Sequence, residues 1–285
     1  MNHNPVKSAI RQFGLPRIII VGFFIFLVIA AGGFQMNLMQ LLSDCVRRWG
    51  MFGILTLAMV PAVQCGIGLN FGISMGIVGG LLGGLIVIEL DVARIPALVA
   101  VGPMFGMWVS VLVAILIGVV LATGIGYLYG LLLNQVKGSE MTVTTYVGFS
   151  IIAFMNMLWM LLPFQNGELK WPNAGKGLRN TISLSTSFSG VMNDTLSFKI
   201  GNFTVPTGLL LFMFFMCLLV WLFMKSKTGM AMSAAGSNPM FAKAAGINVN
   251  RMRLVGTTLS TVLAAVGIIV YAQGFGFMQL YNGPM

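Results

Sequence analysis

Side chains able to make and break bonds are scarce in this sequence. One histidine, His3, stands in the N-terminal tail, three cysteines, Cys45, Cys65 and Cys217, lie far apart, and six acidic residues face sixteen basic ones. A zinc or redox centre needs clustered His and Cys ligands, so the metal and redox classes have no candidate residues. Hydrolysis needs a nucleophile beside a base, or a pair of carboxylates. Ser183, Ser185, Ser187 and Ser189 cluster without a base near them and read as loop, so no catalytic residue is assigned and the chain is not read as an enzyme. What the apolar stretches do hold is neutral and polar. Gln64, Asn70, Ser74, Asn156 and Trp159 are the candidates for lining a route for a neutral polar solute. Thr142, Thr144, Thr145, Thr257, Thr258, Ser260 and Thr261 are of the same kind, and all serve equally well as interhelical hydrogen bonds.

Those residues must be positioned by membrane spans. Of the 285 residues, 58% are hydrophobic and 8% charged, with a mean hydropathy of +0.94. A soluble domain carries about 25% charged residues, and this chain cannot build such a skin. The +10 net charge comes from Lys and Arg in twos and threes between apolar runs, the pattern of span flanks rather than of a nucleic-acid surface. Since a span takes about 20 apolar residues, helices are expected at about 17–34, 50–70, 71–90, 104–133, 141–163, 206–224 and 252–274. The expected fold is an all-α, polytopic transmembrane helix bundle forming a single domain over 1–285. Pro103 favours one long tilted helix over two short spans in 97–133.

Lys7, Arg11 and Arg17 precede the first span, resembling the basic region of a signal peptide, but further spans follow and an uncleaved first helix is expected. Basic tail residues place the N-terminus in the cytoplasm, 164–205 outside as an external loop and 225–251 inside. The inner segments then hold Lys7, Arg11, Arg17, Lys137, Lys225, Lys227, Lys243, Arg251 and Arg253; the outer ones hold Arg47, Arg48, Arg94, Lys170, Lys176, Arg179 and Lys199. Glu89 and Asp91 stand at a span end beside Arg94, and span interiors are nearly free of charge. Ion-coupled carriers bury ionisable groups at mid-membrane, so secondary transport and a charge-lined pore are disfavoured. Small residues recur every four positions at Gly72, Gly76, Gly80 and Gly84, with Gly79 and Gly83 beside them, and at Ala114, Gly118, Ala122, Gly126 and Gly130. Such stripes let helix backbones approach closely in lipid.

The segment 225–253 is the most informative. Asn238 suits an N-cap, Pro239 the first helical position, Met240 to Ala245 a short helix, and Gly246 a left-handed C-terminal position. A two-turn helix is marginal alone and must dock on something. Gly236-Ser237-Asn238-Pro239, then Ala242, Ala244-Ala245 and Gly246-Ile247, resembles the signature of the permease subunits of ATP-binding-cassette (ABC) importers, in the type II branch that carries branched-chain amino acids, ribose-like sugars and nucleosides. Gly68-Leu69-Asn70-Phe71-Gly72-Ile73 is similar to a turn of the nucleoside-type members, with Asn70 where the sugar type has Asp. The resemblance implies that Gly236, Asn238, Pro239, Ala242, Ala245 and Gly246 couple the chain to a cytoplasmic ABC ATPase subunit. It also implies an extracytoplasmic solute-binding protein, a second permease subunit, identical or homologous, and a place in the lipid of a bacterial or archaeal cytoplasmic (inner) membrane, with no nucleic-acid partner. This chain itself would carry no cofactor, ATP and Mg binding on the partner ATPase. The expected cargo is a small polar solute, a simple sugar or nucleoside first and a branched-chain amino acid next. An ATPase-independent channel or facilitator is the alternative. Members of the resembled family have roughly ten spans, and only one follows the coupling segment here, so a C-terminally truncated sequence is expected.

Overall fold

The computed structural model describes residues 15–68, 70–170 and 177–280. His3, Lys7, Arg11, Leu69 and Lys176 lie outside the described residues. Among those described, seven stretches are helical, long and apolar enough to cross a membrane: Pro16–Gly33, Leu38–Gln64, Phe71–Arg94, Pro103–Gln135, Glu140–Trp159, Thr207–Lys225 and Val249–Phe275. The residues form two compact units, one running up to Val46 with Phe198–Val205, the other comprising Arg47–Ser197 and the chain from Pro206 on.

In the first unit, helix α1 (Leu15–Gly33) exposes nearly every described side chain, Ile19, Ile20, Phe23, Phe24 and Phe26 among them. An all-round apolar helix of this kind suits lipid, not water. Helix α2 (Leu38–Leu57) begins in this unit, where Asn37 Oδ1 accepts from the Met39 and Gln40 amides at 3.1 and 3.3 Å. It starts at Leu38 rather than near residue 50. Asp44, Arg47 and Arg48 lower the hydropathy of its first half, so the apolar signal starts late although the helix does not. Strands β2 (Phe198–Ile200) and β3 (Phe203–Val205) pair as a hairpin, and the Ser43 hydroxyl donates to the Thr204 carbonyl at 2.5 Å.

The second unit continues α2 into α3 (Met59–Gln64). The helix ends after Gln64, and a 3-10 turn at Phe71–Ile73 leads into α4 (Ser74–Glu89). After α5 (Pro96–Val99), helix α6 (Pro103–Gln135) runs unbroken for 33 residues, as Pro103 at its first turn predicts. It is followed by α7 (Glu140–Trp159), then, past the first strand and a short helix of the intervening segment, by α9 (Thr207–Lys225), α10 (Lys227–Ser237), α11 (Pro239–Ala244) and α12 (Val249–Phe275). The intervening segment carries β1 (Thr181–Ser183) and α8 (Val191–Asp194).

The glycines of α4 explain why this helix is the axis of the bundle. A Cβ on Gly80 would meet the Ala265 carbonyl oxygen at 2.5 Å, and one on Gly76 would reach the Ala264 Cβ at 2.7 Å, so this stripe lies against α12. On the adjoining stripe, Gly83 would meet the Gly118 amide nitrogen at 2.7 Å and Gly79 the Ala122 nitrogen at 3.0 Å, against α6. Two small stripes on one helix thus admit two neighbours at backbone contact, where no hydrophobic drive toward lipid-facing surfaces operates.

Where an external loop was expected, residues 164–170 and 177–197 carry packed structure. Strand β1 pairs antiparallel with β4 (Phe277–Gln279) in the register Ile182↔Met278, and Leu169, Leu178, Ile182, Leu184, Phe188 and Met192 are buried. Their apolar spacing follows no helix or strand period, which is why the sequence pattern did not reveal a small packed cap. Glu89 accepts from the Gln165 and Asn166 amides at 2.9 and 3.0 Å and so anchors this cap, while Arg94 pairs with Asp91 at 3.7 Å on the surface.

Candidate functional site

Two features of the second unit could carry function: the segment between α9 and α12, and a cavity among α2, α4, α7 and α12.

Helix α11 is delimited by its own residues. Asn238 Oδ1 accepts from the Phe241 amide at 3.0 Å, and Pro239 occupies the first helical position, where no amide donor is needed. At the other end Gly246 has φ +80°, its amide donates to the Lys243 carbonyl at 3.0 Å, and the Ile247 amide donates to the Ala242 carbonyl at 2.9 Å. This double bond pattern around a left-handed glycine closes the helix. Ala242 is buried with Ala235 and Val249, whereas Met240 and Phe241 are 78% and 65% exposed. The segment therefore presents an apolar, firmly stopped helix to its surroundings. Helix α10, capped by the Ser226 hydroxyl on the Gly229 amide at 3.2 Å, precedes it; the sequence reading had not separated this helix.

The start of α12 is tied to the α6–α7 connection. Arg253 Nη2 lies 2.6 Å from Glu140 Oε1 and donates to the Leu133 carbonyl at 3.3 Å, and Glu140 Oε2 accepts from the Gly138 amide at 2.8 Å. Beside it, Asn134 donates to the Asn250 carbonyl at 2.9 Å and Lys137 Nζ to Asn250 Oδ1 at 2.5 Å. Arg253 was read as a flank charge; its pairing with Glu140 is a tertiary fact with no spacing signature.

The cavity encloses about 730 Å³, within the range of small-molecule sites. Phe52, Phe71, Phe149 and Tyr271 give it aromatic walls, and its polar residues are Thr56, Asn70, Ser74 and Thr145; no charged residue lines it among those described. The Ser and Thr hydroxyls donate their protons to carbonyls, Thr56 to Phe52 at 2.9 Å, Thr145 to Met141 at 2.8 Å and Ser74 to Gly148 at 3.5 Å. The lone pairs are left, so a solute here meets acceptors and aromatic faces. Asn70 lines the cavity with its amide already engaged: its Oδ1 accepts from the Tyr129 hydroxyl at 2.8 Å and the Gly72 amide at 3.1 Å, and its Nδ2 donates to Ser260 at 3.3 Å. Its amide, fully buried, holds the turn at 70–73 against α6 and α12.

Of the pathway candidates, Asn70 and Ser74 come together at this cavity, while Gln64, Asn156 and Trp159 do not line it. Gln64 accepts from the Ser233 hydroxyl at 3.1 Å, toward α10. Trp159 is wholly buried and its indole donates to the Leu280 carbonyl at 3.2 Å, fastening the end of α7 to the chain after β4. Asn156 Oδ1 is buried without a partner among the described residues. The aromatic residues of the cavity were missed because isolated Phe and Tyr in a span look like lipid-facing residues.

Cys65, just past the end of α3, is 1% exposed, and burial pushes its thiol up to about 11. Near neutral pH it is protonated and shielded, so it is expected to resist maleimide until the chain is denatured, whereas exposed Cys45 reacts first. Mass spectrometry of timed labelling checks this; early modification of Cys65 would contradict the burial.

Seven helices long and apolar enough to span a membrane, with a short capped helix between the last two, define a multi-pass membrane protein among the described residues. Residues 41–285 match the family described as branched-chain amino acid transport system / permease component, and the chain belongs to that family. It is 27% identical over 165 residues to the nucleoside ABC transporter permease protein NupB of Lactococcus lactis, covering 58% of this chain and 43% of that protein. Over 112 residues it is 36% identical to the probable ABC transporter permease protein YphD of Escherichia coli, covering 38% and 33%. A Mycoplasma pneumoniae protein, the MG121 homolog, is 27% identical over 187 residues, covering 60% and 54%. The chain thus spans about half or less of the length of these curated relatives. No solved structure matches it.

Proposed function

We propose that this chain is the permease subunit of an ATP-driven importer in a bacterial cytoplasmic membrane, moving a small neutral polar solute. The observation that carries the reading is α11. It is an apolar helix with built-in start and stop between two spans, and its exposed Met240 and Phe241 need a covering partner. The partner that fits is a cytoplasmic ABC ATPase subunit, where ATP and Mg bind, with an external solute-binding protein and a second permease subunit completing the importer. Within the solute class, the uncharged aromatic cavity with hydroxyl acceptors favours a nucleoside, whose planar base stacks on rings and whose donors meet the lone pairs. A simple sugar comes next. The relative named as a nucleoside permease points the same way.

The test is co-purification with a candidate cassette ATPase, using wild type and Phe241→Asp. Because Phe241 is exposed, the variant is expected to fold normally yet lose at least about tenfold in ATPase binding, as for a central apolar anchor. Failure of wild type to bind any cassette ATPase, together with solute uptake that needs no ATP, would sink the reading and favour a channel.

A further inference from the structure

Just past the end of α3 the chain touches the segment between α9 and α12 through bare backbone. Gly66 has φ +79°, and a Cβ placed on it would meet the Gly236 Cα at 2.8 Å. Conversely, a Cβ on Gly236, at the end of α10, would be driven into the Gln64 carbonyl oxygen and to within 2.7 Å of the Gly66 nitrogen. The Ser233 hydroxyl closes the same joint by donating to Gln64 Oε1 at 3.1 Å. Backbone against backbone leaves no flexible side chain to absorb a displacement, so a push on α10 and α11 is delivered to residues 64–66 almost undiminished.

What lies beyond the joint is the cavity. Four residues past Gly66, Asn70 caps the 3-10 turn and bonds to Tyr129 and Ser260, and Phe71 and Ser74 form the wall. The helix is interrupted here: after Cys65, whose amide still donates to the Pro61 carbonyl at 3.1 Å, the Gly66 and Ile67 amides turn back to the Val63 and Ala62 carbonyls at 3.1 and 3.3 Å instead of continuing the regular ladder.

We propose that Gly66 and Gly236 form a rigid transmission joint that carries motion of the α10–α11 segment to the Asn70–Ser74 wall of the cavity. Gly236 and Gly66 are thus positioning residues; they touch no solute. The inference rests on the importer reading for its use, but not for its mechanical consequence.

Two readouts separate these levels. In the chain alone, Gly236→Ala is expected to change the maleimide labelling rate of Ser74→Cys at least about threefold, since the added Cβ forces the turn to shift. Gly124→Ala, whose Cβ would meet nothing within 4 Å, leaves that rate unchanged. In the assembled complex, Gly66→Ala, whose Cβ would meet the Gly236 Cα at 2.8 Å from outside the ATPase-coupling segment, keeps ATPase binding and hydrolysis but lowers ATP-driven uptake at least about tenfold. A Gln64→Cys/Ser233→Cys disulfide, made without the native thiols, leaves uptake intact, because a rigid joint does not need to slide. Unchanged Ser74→Cys labelling in Gly236→Ala, or loss of uptake on oxidising the disulfide with recovery on reduction, would overturn the joint. Wild-type uptake independent of ATP, with the labelling shift present, would instead remove the importer reading and leave the mechanical joint standing.

Discussion

Gly83→Leu is expected to yield no folded bundle. A Cβ at this position meets the Ala114 carbonyl oxygen at 2.6 Å and the Gly118 Cα at 2.9 Å, both backbone atoms of α6 that no rotamer change can move. Overpacking a close-packed interior costs typically 1–3 kcal/mol even when side chains give way, and here an entire helix must move, so the cost is at the upper end of that range or above it. Size-exclusion profiles in detergent should show aggregate in place of a symmetric peak. Gly124→Leu, on a face with open space, should run as wild type. Equal behaviour of the two variants would mean that α4 and α6 are not in backbone contact.

Arg253→Met carries the next largest effect. It leaves the part-buried Glu140 carboxylate without the guanidinium 2.6 Å away but still accepting from the Gly138 amide, so the loss is expected to be well below the roughly 3–5 kcal/mol of a fully buried pair and above that of an exposed one. The double variant Arg253→Met/Glu140→Gln should recover a substantial part of that loss, since no uncompensated charge remains. Thermal unfolding in detergent, read as a double-mutant cycle, measures this directly. Additive losses would show that the two side chains do not interact. Through Lys137, Asn134 and Asn250 the same region ties the α6–α7 connection to the base of α12, so loosening it should also broaden the transition.

The membrane class, the seven spans and the capping of α11 were legible in the sequence, because each depends on local chemistry. Hydropathy is additive along a window, and Asn238, Pro239 and Gly246 act on hydrogen bonds a few residues away. The start of α2 was not legible, since three charges within one helix mask its apolar face. The packed cap within 177–197 was not legible either, because its buried residues are brought together by pairing of β1 with β4, distant in sequence.

For the site the division is sharper. Sequence reasoning could name polar residues inside spans but could not say which share a wall, since that depends on how helices are rotated about their axes. The glycine stripes announced close packing; only the tertiary structure decided that one helix, α4, offers both stripes to two different neighbours. It also placed Trp159 in the core with its indole on the Leu280 carbonyl, and Asn70 at the cavity with its amide held by Tyr129 and Ser260. Local capping and hydropathy are written residue by residue and are set by the sequence itself. Cavity walls, the Arg253–Glu140 pair and the Gly66–Gly236 contact depend on partners tens to more than a hundred residues away, and those meetings exist only once the helices have packed.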